Sequence, residues 1–157
     1  MTPCCQPRRR LLAAAGAGLV GAPFAGLFAG CADKGHWPEG MAAIHWDRET
    51  CVRCSMVISD RRFAAEVRGG PKSTYYKFDD IGCVVFWLAN QSWAGDAATK
   101  IWVADAGTAD LWLDARHANY LAGKTSPMGY NFAASGKLAD GAVDFGEMSR
   151  LVLARGK

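Results

Sequence analysis

Beyond residue 30 the chain has no net charge. Its remaining 15 basic side chains are matched by 15 acidic ones, and the whole +3 surplus lies in Arg8, Arg9 and Arg10. A nucleic-acid binder keeps a net basic surface to neutralise phosphates, so that class is excluded. Charged residues are few overall, 21% against 50% hydrophobic, which rules out whole-chain disorder and collagen-like or coiled-coil repeats. There is no convincing internal repeat. At 157 residues the chain is long enough for one ordinary domain and too short for two of typical size.

The first thirty residues contain no acid, and Leu11 to Gly30 contain no charge of either sign. A basic start, an apolar run and small residues before a Cys form the layout of an export signal. Arg8-Arg9-Arg10-Leu11-Leu12 is similar to the twin-arginine export motif, with the general secretory route left open. Leu27-Phe28-Ala29-Gly30-Cys31 resembles a bacterial lipobox, with Phe28 where Leu is commoner. The expected organisation is an export lipoprotein signal at 1–30, a lipidated tether at 31–43 and a globular domain at 44–157. Cys31 is the expected lipidation site and the contact with the bilayer. An uncleaved membrane anchor is the alternative. Either way the domain lies outside the cytoplasm, on the periplasmic side of a bacterial membrane. Ala32 after the Cys favours the outer membrane over the inner. His36, Trp37 and Met41 read as incidental linker residues.

In the globular part, Phe63–Val67 and Ser73–Phe78 read as two strands of a hairpin broken by Gly69-Gly70-Pro71. Asp79-Asp80 offers an N-cap to an apolar helix over Ile81–Trp93. Ile101–Asp105 reads as a strand, Asp114 as the cap of a short helix to Leu121, and Tyr130–Ala134 as a last strand. Leu138, Ala142, Phe145, Met148, Leu151 and Val152 give a final helix its inner face. Short strands mixed with helices, without regular βαβ crossovers, predict an α+β fold in one small domain. The pattern leaves room for two similar strand-helix-strand halves.

Cleavage before Cys31 leaves four cysteines. Cys83, beside Val84, Val85 and Phe86, reads as a small buried hydrophobe. Cys51-Val52-Arg53-Cys54 is a lone C-x-x-C with three readings. Structural zinc needs two further ligands at compatible spacing, and no second pair follows. A thioredoxin-like site needs its first Cys at a helix N-terminus, whereas Ser55-Met56-Val57-Ile58 carries no helical stripe. A plain Cys51–Cys54 disulfide stays open. The third reading adds Met56. Thiolate and thioether sulfurs are soft donors that favour Cu(I), and C-x-x-C-x-M offers three within six residues, with no His among them.

Cys51-Val52-Arg53-Cys54-Ser55-Met56, Phe78-Asp79-Asp80-Ile81-Gly82-Cys83, Trp112-Leu113-Asp114-Ala115 and Ser126-Pro127-Met128-Gly129, in that order, resemble the NosL family. These are the copper-binding lipoproteins that accompany nitrous-oxide reductase. The likeness runs from about His45 to Ala154. Ser55 departs from it, since Gly is commoner there, and the stretch around Phe132-Ala133-Ala134-Ser135 is shorter than usual.

The resemblance implies a non-enzymatic copper chaperone. It would hold Cu(I) and pass it to the maturation machinery of nitrous-oxide reductase, through the periplasmic component of a membrane transporter complex. Cys54 and Met56 are the first expected metal ligands, followed by Cys51 and Met128. His45, Asp47 and His117 are further nitrogen or oxygen candidates. The competing function is an extracytoplasmic thiol-disulfide protein that uses Cys51 and Cys54 for redox exchange.

Overall fold

The computed structural model describes residues 36–108 and 110–156. The expected export signal at 1–30, Cys31 and the first residues of the tether lie outside the described residues. Within the latter, no helix is long and apolar enough to cross a membrane.

Eight elements follow in the order β1 (Ala65–Gly69), β2 (Thr74–Phe78), α1 (Ile81–Leu88), β3 (Lys100–Ala104), β4 (Trp112–Asp114), β5 (Asn119–Ala122), β6 (Phe132–Ser135) and α2 (Phe145–Ala154). This is an α+β fold with two antiparallel sheets. The larger has strand order β2-β1-β3-β4, and the smaller pairs β5 with β6, with Tyr120 of β5 also bridging Val143. In the first hairpin Ala65 faces Phe78 and Gly69 faces Thr74. Gly70, at φ +77°, supplies the left-handed turn residue that most side chains avoid. The two halves are unequal. Each is a hairpin followed by a helix, strand-strand-helix rather than strand-helix-strand, and β3 and β4 extend the first alone.

Alternation along β1 sends Ala65 and Val67 into the main core. There they meet Phe78, the buried side of α1, Tyr120 and Phe132 from the second hairpin, and Met148 and Val152 from α2. Ile44, Trp46, Ile58 and Ala64 form a smaller cluster. Trp37 and Met41 are not incidental: both pack on that cluster, and Trp37 lies 5.4 Å from the ring of Trp112.

Several local expectations yield to longer-range packing. The first helix ends at Leu88, not Trp93. Asn90 turns back to donate to the Phe86 carbonyl, and Trp93 folds over to pack on Tyr76 and Trp87. Asp114 caps a single turn through the Arg116 N–H, but no helix follows. Tyr120 pairs instead with Ala134, burying a large aromatic ring in a strand that suits it. The last helix begins only at Phe145, capped by Asp144, so Leu138 is 82% exposed and faces no core.

Candidate metal centre

The loop carrying C-x-x-C-x-M is closed by its own backbone. Thr50 bridges Val57, the Cys51 N–H donates to the Met56 carbonyl at 2.8 Å, and the Ser55 N–H donates to the Cys51 carbonyl at 2.9 Å. Ser55 sits at φ +63°, which explains why glycine suits this position. The Val52 N–H donates to the Lys77 carbonyl, pinning the loop beside β2. Cys51 therefore points inward, 1% exposed, while Cys54 is half-buried and Val52 and Met56 stay outside.

The end of β2 and the start of α1 approach this loop. Asp79 follows β2, and Asp80 caps α1, so Cys83 occupies the first helical turn with its N–H on the Asp80 carbonyl. The ligand atoms of Cys51, Cys54, Asp79 and Cys83 all lie within 4.8 Å of one another. The Cys54 thiol donates to Asp79 Oδ1 at 3.3 Å. Asp79 Oδ2 is buried and has no hydrogen-bond partner among the described residues. An orphaned buried oxygen is costly, and this one belongs to the carboxylate that joins the three thiols. The guanidinium of Arg53 borders the cluster. Its Nη1 donates to the Tyr130 hydroxyl at 2.8 Å and approaches Cys83 Sγ at 4.0 Å, and its Cζ lies over the Phe86 ring, 4.6 Å from the ring centre.

Crowding separates the three thiols in acidity. A hydrogen bond from Cys83 stabilises the Cys51 thiolate and lowers its pKa to about 7. Burial pushes Cys54 up to about 12, helped by the negative charge that develops on Cys51 and by the hydrogen bond to Asp79. Cys83 is raised first by its hydrogen bond with Cys51 and then by burial. Metal binding must displace the protons that remain on the thiols it uses.

Of the expected ligands, the fold brings Cys51 and Cys54 together. Met56 lies on the same loop with a side chain 45% exposed. Met128 is partly buried against the core cluster that contains Cys51 and Cys83, with Cys54 packed on it too. His45 and Asp47 are exposed, and the exposed imidazole of His117 pairs with Asp114 at 3.2 Å. None of these three is among the four converging donors. Sequence reasoning missed Asp79 and Cys83 as candidate donors. Cys83 is as buried in the core as its apolar neighbours imply, and its sulfur also lies within the cluster. The available signal was the paired acid followed by a Cys one helical turn later.

Fold and cluster together define a small α+β domain with a site of three thiols and one carboxylate able to hold a metal ion. No family model matches the chain, and no curated protein matches it. Among solved structures it is similar to the copper chaperone NosL from Shewanella denitrificans, at 16% identity and a TM-score of 0.54. That likeness covers 74% of this chain and 89% of the other. The chain has the NosL fold.

Proposed function

We propose that this protein is a copper carrier, not an enzyme, which holds Cu(I) at the Cys51–Met56 loop and hands it to a partner. The observation that carries the reading is the convergence of three thiols, of which one, Cys54, remains reachable from solvent. Soft sulfur donors favour Cu(I) over harder ions, and a part-open ligand set lets an acceptor's ligands join before the donor's leave. The NosL-like fold supports the same reading. Cys51 and Cys54 are the central ligands, Met56 stands at the exposed rim, and Met128 is a further thioether donor. Cys83 and Asp79 extend the set.

In this proposal the protein is lipid-anchored through Cys31 on the periplasmic side of a bacterial membrane, the outer one by preference. It serves the maturation of nitrous-oxide reductase through the periplasmic component of a transporter complex. Cu(I) titration of the full chain against a competing chelator tests the binding step. The expected result is one tightly held Cu(I), with sulfur dominating its first shell by X-ray absorption. A shell made mainly of nitrogen and oxygen overturns the reading. Catalytic reduction of a disulfide substrate, with Cys51 and Cys54 cycling, would replace it by thiol-disulfide exchange. Against that alternative, the accessible thiol, Cys54, is the one whose pKa is raised, while the more acidic Cys51 is buried.

A further inference from the structure

The paired acids Asp79 and Asp80 do different work. Asp80 has extended backbone, φ −154° and ψ 137°, and consecutive side chains on extended chain point to opposite sides. Asp79 accordingly meets the thiols, while Asp80 turns away and is fully buried. Asp80 Oδ1 accepts the Gly82 N–H at 2.9 Å, capping α1. Its Oδ2 accepts the Ser126 hydroxyl at 2.6 Å and the Met128 N–H at 3.2 Å. The Ser126 hydroxyl oxygen accepts in turn from the Asn131 N–H at 2.9 Å, and the Ser126 carbonyl accepts from the Gly129 N–H at 2.9 Å. One carboxylate thus joins the helix start that carries Cys83 to the turn that carries Met128.

We infer that Asp80 is a positioning residue for copper, fixing the Ser126–Gly129 turn so that the Met128 thioether meets the ion held by the thiols. This rests on the carrier reading above and on Met128 as one of its donors. A helix cap alone does not require a carboxylate, because Asn caps about as well as Asp. Linking the Met128 N–H as well does favour one. An Asn amide can keep the Gly82 contact, and the Ser126 hydroxyl can turn to accept from its NH₂, but that NH₂ would then face the Met128 N–H, which can only donate. The Met128 segment has no regular secondary structure of its own, so this anchor and the Ser126 turn hold its backbone. Residues that orient a metal's ligands typically contribute ten- to a hundredfold in affinity.

The test uses the full chain, selenomethionine-labelled in a Met56→Leu background, loaded with Cu(I). Copper-edge X-ray absorption then reads Cu–Se scattering from position 128, with Met128→Ala as the zero. Asp80→Asn is expected to remove the Cu–Se signal and weaken Cu(I) roughly tenfold, like Met128→Ala, with no further loss in the double variant. Asp144→Asn, the same change at the cap of α2, is expected to leave both readings unchanged. If Asp80→Asn fails to fold, Ser126→Ala keeps the cap, removes one of the two links, and is expected to diminish the Cu–Se signal. Retained Cu–Se scattering and affinity in Asp80→Asn, or in Ser126→Ala where that is the folded variant, overturns the inference while leaving the carrier intact. Wild-type affinity in Met128→Ala overturns it too, because there is then no donor to position. Failure of the carrier itself is read separately, as no tight Cu(I) binding in the parent chain.

Discussion

The thiol of Cys54 donates a 3.3 Å hydrogen bond to Oδ1 of Asp79, joining residues 25 apart in sequence. This contact ties the one accessible thiol of the cluster to its one carboxylate. It occupies the Cys54 thiol proton, and the second oxygen of Asp79 has no hydrogen-bond partner among the described residues. The cluster is held by the protein's own contacts, so loss of a donor can be separated from unfolding.

Cys54→Ser is expected to abolish tight Cu(I) binding while the fold survives. Serine can still donate to Asp79, so apo stability should change by no more than about 1 kcal/mol. Chelator competition and urea unfolding of the same variant check this. A loss of several kcal/mol, on the order of removing a native disulfide, would assign the thiol to structure instead. Met56→Ala, altering a side chain 45% exposed, should weaken Cu(I) binding and leave unfolding unchanged.

Cys83→Ser separates the two readings of that residue. A hydroxyl preserves shape but is a poor Cu(I) donor, so a donor role predicts roughly tenfold weaker binding or more. Packing alone predicts wild-type affinity and a stability loss of about 1 kcal/mol. Cu(I) affinity and thermal unfolding, measured together, decide between them.

Gly82→Ala gives a diagnostic sign. Alanine in a helix should stabilise by about 1 kcal/mol over glycine. Here an added Cβ would lie 2.2 Å from the Tyr130 ring, which is fully buried and held by Arg53. The clash is expected to win, with a net loss on the order of 1–2 kcal/mol in chemical denaturation.

Glu66 predicts a pH dependence. It is fully buried on β1, its Oε1 accepts the Ala42 N–H at 2.8 Å, and its Oε2 has no partner among the described residues. Burial raises its pKa from 4.5 to about 7. The folded state therefore holds the proton more tightly than the unfolded one. Its contribution is fully present below pH 4.5 and is lost as pH rises through about 7. The difference is on the order of 2–3 kcal/mol. Subtracting the stability curve of Glu66→Gln from that of wild type should isolate this slope, and the variant should be at least as stable at pH 8. A flat difference curve would show that the carboxyl titrates alike in both states.

The sequence by itself determined what is chemically local. It marked the loop of sulfur donors, the strands on either side of Gly70, the cap at Asp80, and the α+β class. Each depends on residues a few positions apart, where periodicity, turn chemistry and capping act directly. Tertiary structure decided the rest. Leu138 fits an apolar helical stripe but lies outside, because the helix starts seven residues later. Tyr120 could continue a helix from Asp114, but pairing with Ala134 buries it in a sheet. Cys83 and Asp79 look like core and cap until the fold sets them beside a loop about 30 residues earlier. Met128 reaches its anchor across 48 residues. Local propensity carries no information about such distant partners; only burial of the shared core, which closes those long loops together, brings their side chains to one place.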